Sequence, residues 1–292
     1  MNKNIASKKK CYLCSSENIK LTEYKVRDNE DLQVLKCQNC SLSFLSSFDH
    51  INNKFYKEGQ MHNFFGNFNI NNWLESSYQD DLRRFKFLKD RIKNKRLLDF
   101  GCGAGGFLKF AKNISDAYGI EEQESLKEYF LKENINVKEN ILELKNTEKF
   151  HIITLFHVLE HFKDPENELK TLCKYLRKDG EIIIEVPSSN DALLKLYKNK
   201  AFGNFTHWSC HLFCFNQNTL IKIADKLNLK VNYIKNLQRY SLMNHLYWII
   251  KNRPGGHKVW KKFDFKFINF IYKTFLTSLN LNDTIIISLS QK

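Results

Sequence analysis

Acid is scarce in this chain, no long apolar run occurs, and nothing near the start looks like a leader. Its 32 Asp and Glu stand against 46 Lys and Arg, a formal net charge of +14. The pI is about 9.3. That balance keeps nucleic acid, anionic lipid and phosphorylated small molecules in view. Lys, Asn, Ile and Phe are all abundant, as translation of A/T-rich DNA would give, and the lysines are scattered rather than clustered. Nucleic acid is therefore the less favoured partner. The longest apolar run, around Leu246 to Ile250, is far too short to span a bilayer. Met1 to Lys10 is polar with no apolar stretch behind it, so no secretory signal is expected. Disulfide patterning is missing too: of eight cysteines, four fall in two C-x-x-C pairs. Reduced thiols and a cytoplasmic location are expected.

What is present begins with those pairs. Cys11-x-x-Cys14 is followed, after twenty-two residues, by Cys37-x-x-Cys40. Each pair can chelate from one tight turn, and two turns complete the four-sulfur tetrahedron that Zn²⁺ prefers. Between them, Leu21, Tyr24, Val26, Leu32, Val34 and Leu35 supply short strands for a zinc ribbon. With all four positions filled by protein, the site reads as structural. The alternatives are two redox pairs or incidental cysteines. Residues 41–74 then carry Phe44, Phe48, Phe55, Tyr56, Phe64, Phe65, Phe68 and Trp73 among Asn and Gly. They form either a connector packed on the main domain or a lid that excludes water.

The organising stretch is Leu97-Leu98-Asp99-Phe100-Gly101-Cys102-Gly103-Ala104-Gly105-Gly106. It reads as a buried strand, a tight turn and a helix start, the arrangement that grips nucleotide-type cofactors in doubly wound α/β folds. Glycines there let the backbone turn sharply and approach a ligand, and the N–H groups opening the helix face it. A dinucleotide fits G-x-G-x-x-G, with Glu121 about twenty residues on for a ribose. Asp99, however, would repel a pyrophosphate, whereas it suits a sulfonium cofactor that carries an ammonium group and no phosphate. The D-x-G-x-G-x-G form resembles the first motif of class I S-adenosylmethionine-dependent methyltransferases. That resemblance implies cofactor contacts from Asp99, Gly101, Cys102, Gly103 and Gly105. Glu121 falls where a ribose is held, the alternative being a solvated acid at a helix start. In the same reading Asn140 and Ile141 match the positions that contact adenine.

Strand–helix alternation from Leu97 to Pro187 supports a parallel sheet. An amphipathic helix from Ser76 to Lys93 precedes it; strands are expected at 116–120, 135–138, 150–156, 229–237 and 283–290, and a turn and strand over 176–187. The strand ending at Phe156 runs into His157-Val-Leu-Glu-His161. This resembles the H-V-L-E-H segment of the branch containing ubiquinone O-methyltransferase-like and sugar methyltransferases, and it places Phe156 and His157 at the cofactor. His157 and His161 would share a face of a helical turn, but no third metal ligand is evident beside them.

Beyond Pro187 the resemblance weakens. His207, Cys210, His211 and Cys214 would line one face if that stretch were helical, which admits a second metal site. The other reading is a packed loop or strand with His211 facing substrate. Certain sugar methyltransferases with an N-terminal zinc module carry an active-site histidine here, in an E-H-F-S-Y-F-like segment, and another at the position of His161. Cys210 stands where that family has its glutamate, so C-methylation does not carry over with the histidine. Arg239, Tyr240, Asn244 and His245 fall in and before an apolar helix; they are candidate substrate contacts or satisfied core polar groups. Pro254-Gly-Gly-His257 breaks the chain and resembles a loop of methyltransferases linked to surface polysaccharide. Residues 258–280 alternate Lys with Phe, Ile, Tyr and Trp. Such a basic amphipathic helix can rest on a membrane surface or a nucleotide-sugar pyrophosphate, with dimer contact or plain packing as the blander reading.

The expectation is an α/β protein with a Rossmann-like, seven-stranded class I methyltransferase sheet and a small N-terminal zinc ribbon. Its parts are residues 1–48 as ribbon, 49–74 as connector or lid, and 75–292 as the methyltransferase domain with a helical insertion at about 238–280. The expected cofactors are S-adenosylmethionine and structural Zn²⁺. The acceptor is expected to be a small molecule, a hydroxyl of a sugar, nucleotide-linked sugar or surface-glycan precursor, with His161 or His211 as base. Alternatives are an RNA methyltransferase, although no N-P-P-Y-like segment is present, a quinone or lipid methyltransferase, and a non-catalytic cofactor-binding protein. Oligomeric state is not legible.

Overall fold

The structure, a computed structural model, describes residues 9–52, 54–61, 69–145 and 149–292. Phe64, Phe65 and Phe68 of the aromatic segment lie outside the described residues. In chain order, β1 (Ile19–Lys25), β2 (Gln33–Cys37) and β3 (Ser43–Leu45) precede helix α1 (Ile70–Ile92). Next come β4 (Arg96–Phe100), α2 (Gly106–Ala111), β5 (Asp116–Ile120), α3 (Lys127–Lys132), β6 (Val137–Lys138), β7 (Phe150–Phe156), α4 (Pro165–Tyr175) and β8 (Leu176–Pro187). Then follow α5 (Ala192–Lys195), α6 (Lys200–Thr206), β9 (Phe213–Cys214), α7 (Gln217–Lys226) and β10 (Leu229–Leu237). The chain closes with α8 (Leu242–Lys251), α9 (Gly256–Val259), α10 (Lys266–Ser278) and β11 (Thr284–Gln291). Seven strands form a sheet in the order β10-β11-β8-β7-β4-β5-β6, and β1-β2-β3-β9 form a second. The expected seven-stranded Rossmann-like sheet is present.

Two compact units divide the chain. One comprises Met1–Phe48, Glu185–Lys226 and Tyr233–Ile287; the other comprises Asp49–Ile184, Leu227–Asn232 and Ser288–Lys292. In the second unit, β4 runs parallel to both β5 and β7, and β5 runs parallel to β6. Leu97, Leu98, Ile152, Ile153 and Leu155 are buried to 1% exposure or less, as strands covered on both faces must be. The helix before β4 starts earlier than its periodicity suggested, because Asn69 caps it by accepting from the Asn72 N–H. Asp164 accepts from the Asn167 N–H and Pro165 supplies the first residue of α4, the usual pairing of cap and pre-set φ. The strand expected at 135–138 shrinks to Val137–Lys138, an edge strand whose register partners are Gly119 and Ile120.

In the first unit the ribbon does not stand alone. β3 pairs antiparallel with β9, so Ser43 faces Cys214 and Phe44 faces Phe213. Tyr12 and Phe48 pack on Phe213, both with ring centroids 5.1 Å away. The Lys25 N–H donates to Asn204 Oδ1 at 2.9 Å, the Arg27 N–H to His207 O at 2.8 Å, and Arg27 stacks on Trp208 at 4.0 Å. Helix α6 comes this close to β1 because residue 203 is glycine: an added Cβ would land on the Tyr24 ring. Gly203→Ala should therefore destabilise the protein by about 1–3 kcal/mol through overpacking, measured by chemical denaturation. Unchanged stability would mean that this contact does not hold the ribbon.

Candidate active site

At the carboxyl end of β4 the chain turns through Gly101, Gly103 and Gly105, with φ of +68°, +54° and +71°. Only glycine adopts these values freely. A Cβ on Gly101 would stand 2.6 Å from Val158 Cγ2, and one on Gly103 would stand 2.7 Å from the Trp73 ring. The backbone of the turn is thus closely approached by Val158 and Trp73, which leave no room for a Cβ at either glycine. The Gly101 and Cys102 N–H groups both donate to Ile120 O, at 2.9 and 3.0 Å, tying the turn to the end of β5.

Two carboxylates flank the turn. Asp99 is 3% exposed, and its Oδ1 accepts from Thr154 Oγ1 at 2.7 Å; the two residues are register partners on β4 and β7. Burial pushes its carboxyl up to about 7, against the opposing pull of the Thr154 bond and the Arg84 charge, while Asp81 and Glu121 add to the rise. Arg84 pairs with Asp81 at 3.1 Å and lies 4.6 Å over the Phe156 ring. On the other side, Glu121 accepts from the Gly103 N–H at 2.9 Å through Oε2 and from the Gln123 N–H at 3.0 Å through Oε1. Burial raises its pKa as well. A turn bounded by two acids whose ionisation is resisted favours a ligand that brings positive charge and hydroxyl donors. It does not favour one that brings phosphate.

Asn140 caps the turn after β6, its side chain accepting from the Leu142 N–H at 2.9 Å while Glu143 Oε1 accepts from the Asn140 N–H at 2.9 Å. Ile141 is buried behind it. Phe156 meets Phe107 edge-on at 5.1 Å.

The segment after β7 is not a helical turn at its start. His157 has φ of +57°, a left-handed value that costs a non-glycine residue about 1 kcal/mol or more. A single 3-10 turn then covers Leu159–His161. The shared helical face expected of His157 and His161 is therefore corrected: the strained residue re-aims the chain, and His157 Nδ1 instead approaches buried Glu160 Oε1 at 3.3 Å. Burial pushes the His161 pKa below its ordinary value, Glu160 raises it and His157 lowers it. Tyr56 Oη lies 3.3 Å from His161 Nδ1 and 3.5 Å from His161 O. Both contacts are hydrogen bonds only if Nδ1–H donates to the phenol oxygen and the phenol donates to the carbonyl. In that tautomer Nε2 is the accepting nitrogen of the ring.

Tyr56 belongs to a turn, residues 54–60, that reaches the opposite rim as well. The Glu124 N–H donates to Lys57 O at 3.0 Å, and Lys57 Nζ pairs with Glu124 and Glu139, each at 3.2 Å. Within the second unit this part of the expected connector or lid thus bonds both to the segment after β5 and to the histidine after β7.

In the first unit, Cys11, Cys14, Cys37 and Cys40 come together with every sulfur within 4.8 Å of the others. Cys11 Sγ–Cys40 Sγ is 3.5 Å and Cys14 Sγ–Cys37 Sγ is 3.6 Å. Zn–S bonds of about 2.3 Å in a tetrahedron put sulfurs about 3.8 Å apart, so the four thiols fit the ion. The helical reading of 207–214 is corrected. α6 ends at Thr206, because Ser209 is drawn off to Asp28 through its N–H and hydroxyl, both 2.8 Å, and Phe213 enters β9. His207 Nδ1 bonds Gly203 O at 2.6 Å and its ring stacks on Tyr24, so it serves the ribbon contact. His211 stacks on Trp208 at 5.9 Å.

The four candidate acceptor residues also lie in this unit. Arg239 and Tyr240 give their N–H groups to Asp283 Oδ2 at 2.9 and 3.0 Å, and the Tyr240 side chain is exposed. Asn244 Oδ1 accepts from the His257 N–H at 3.1 Å. His245 is 1% exposed, with Nε2 3.3 Å from Gln238 Nε2 and Nδ1 2.6 Å from Tyr272 Oη. Gln238 can only donate there, so His245 carries its proton on Nδ1. Burial lowers its pKa to about 4. Asn244 and His245 thus spend these atoms on the fold.

Sequence reasoning missed Arg84, Thr154 and the link from Tyr56 to His161. A lone Thr in the apolar run Ile152-Ile153-Thr154-Leu155 was the available signal for one of them. The others depend on contacts that spacing does not encode.

Comparison with known proteins agrees with this geometry. Residues 57–234 match the family described as "Methyltransferase domain". The ubiquinone biosynthesis O-methyltransferase of Coxiella burnetii is 29% identical over 119 residues, 37% of this chain and 50% of that protein. Its mitochondrial counterpart from Candida albicans is 30% identical over 117 residues, 36% of this chain and 35% of that protein. The chain thus spans about half or less of the curated relatives it matches. Among solved structures, a SAM-dependent methyltransferase from Archaeoglobus fulgidus shares 17% identity and a TM-score of 0.47, over 73% of this chain and 93% of that one. With the family match covering more than half its length, a seven-stranded sheet and the glycine turn, this chain belongs to the class I S-adenosylmethionine-dependent methyltransferases.

Proposed function

We propose that this protein transfers the methyl group of S-adenosylmethionine to a hydroxyl of a small-molecule acceptor. The observation that carries the reading is the turn bounded by Asp99 and Glu121. Asp99 would take the ammonium group, Glu121 the ribose hydroxyls, the Gly101–Gly103 backbone the close approach of the cofactor, and Asn140 and Ile141 the adenine edge. The sulfonium supplies an electrophilic methyl group, and the protein's contribution is alignment, which is worth roughly 7–11 kcal/mol in intramolecular analogues. A hydroxyl acceptor must also lose its proton as it attacks. His161 is suited to accept that proton, because burial holds its pKa below the ordinary value and the Tyr56 contacts set the tautomer in which Nε2 is the accepting nitrogen. His211 is the second candidate base. Arg239 and Tyr240 are proposed to act in acceptor choice, with His245 and Asn244 positioning the helix that follows them.

A sugar hydroxyl, on a nucleotide-linked or surface-glycan precursor, is the favoured acceptor, supported by the pairing of a zinc module with histidines at positions 161 and 211. A phenolic hydroxyl of a quinone precursor is the second reading, supported by the names of the curated relatives. Zn²⁺ is proposed as a structural ion in the four-cysteine site, where it would stabilise the ribbon fold.

Three outcomes are expected. Calorimetry should show S-adenosylmethionine binding that tightens about tenfold as pH rises from 6 to 8, since the Asp99 carboxyl, pushed up to about 7, must ionise to hold an ammonium group. Asp99→Asn should flatten that dependence and weaken binding about 10- to 100-fold at pH 8; no binding by the native protein at any pH would refute the cofactor assignment. His161→Asn should lower kcat about 10²- to 10⁴-fold with S-adenosylhomocysteine affinity unchanged, and Tyr56→Phe should shift the pH–rate profile. Full activity of His161→Asn on both sugar and catechol acceptors would remove it as the base. Metal analysis of protein purified without chelator should give one zinc per chain, and its removal should lower stability. A metal-free protein of unchanged stability would count against the ribbon ion.

A further inference from the structure

Helix α10 has two apolar faces, and only one is used by the fold. Tyr272 and Leu276 point inward, 8% and 0% exposed, and pack with Ala192, Tyr197, Leu242 and Leu281. Tyr272 Oη anchors the helix further, 3.1 Å from Tyr197 Oη and 2.6 Å from His245 Nδ1. On the opposite side Phe267, Phe270, Ile271 and Phe275 are 74%, 69%, 52% and 48% exposed. Their spacing of three and four residues sets them in one stripe. Phe263 and Phe265, just before the helix, extend it at 47% and 60%. Soluble monomers rarely leave so many large apolar groups together in water.

Charge identifies what covers the stripe. From Ile249 to Leu279 the chain is rich in Lys and Arg, among them Lys258, Lys261, Lys262 and Lys266, against a single acid, Asp264. A second copy meeting this face across a two-fold axis would bring two such basic patches together. A lipid surface rich in phosphate neutralises them instead. Lysine stems can lie along apolar surface while their ammonium groups stay at headgroup level. An apolar stripe flanked by lysines, on a helix lying flat rather than crossing, is the form of an interfacial helix. No helix among the described residues is long and apolar enough to cross a membrane.

We infer that residues 258–279 dock this protein on an anionic lipid surface, with the Phe267–Phe270–Ile271–Phe275 stripe entering the headgroup–acyl boundary. The inference stands apart from the choice of methyl acceptor. It is tested by flotation of the full chain with vesicles of phosphatidylcholine, with and without phosphatidylglycerol, alongside sedimentation of the protein alone. Binding should need phosphatidylglycerol and fall with added salt. It should weaken about fivefold for each unit of charge lost in Lys261→Glu and Lys262→Glu, two units per substitution. Phe267→Ser with Phe270→Ser should abolish it while circular dichroism and S-adenosylhomocysteine binding stay unchanged; both side chains are exposed, so folding is not at stake. Absence of binding to either vesicle, equal binding to both, or a self-associating species that the same Phe variants dissociate would overturn the inference, the last by giving the face to a second copy.

Discussion

A carboxylate kept out of water at the end of β4 sets the terms for the rest of the second unit. Asp99 is buried because Leu97 and Leu98 before it sit in a strand covered on both faces, and the glycine turn begins two residues later. Such a group is costly unless compensated. Thr154 on the adjacent strand offers one hydrogen bond and Arg84 on α1 offers charge, yet Asp81 and Glu121 work the other way. The balance leaves the carboxyl near its ionisation point, able to gain from a cationic ligand in a way that a fully paired acid could not. Placement of α1 follows from the same need, since its buried Arg84 and Asp81 pair lies in the face that covers the turn.

Most of the fold was legible because it is locally encoded. The apolar strand broken by glycines, the strand at 150–156 and the closing strand each carry their signal within a few residues. The four cysteines were legible for the same reason, since each pair is one turn. The stretch from His207 to Cys214 was legible only in part. Its apolar residues pointed to a packed loop or strand before the next helix, as found, while its His and Cys spacing also fitted a helical metal face; what excluded that face was Asp28, far away in sequence, capturing Ser209, and β3 pairing with β9. Tyr56 likewise sits among aromatics whose spacing says only that they avoid water. Its phenol becomes informative once the fold brings it to His161, more than a hundred residues later in the chain.

The polar residues around α8 show the limit from the other side. An Asn–His pair in an apolar helix draws the eye as a site, and such groups do need partners. Gln238, Tyr272 and the turn at Gly256 meet that need from elements that the local pattern did not connect to them. Arg239 and Tyr240, just outside the helix, keep more of their side chains toward solvent. Buried polarity alone therefore does not separate a framework from a binding surface; exposure must be weighed beside it.

The pairing of β3 with β9 also bears on the order of events during synthesis. The ribbon's two cysteine turns and its first hairpin are synthesised before the rest of its sheet and can come together as soon as Cys40 is free. The last strand of its sheet, however, waits for Phe213 and Cys214. Until then β3, with Phe44 and Leu45, is an open strand edge of the kind that recruits other chains. Pairing across so long a separation is slow compared with local contacts. A nascent chain of this protein thus passes through a stage in which its four-cysteine module is complete but unsealed, and in which a neighbouring β3 on another ribosome is a competitor for its own β9.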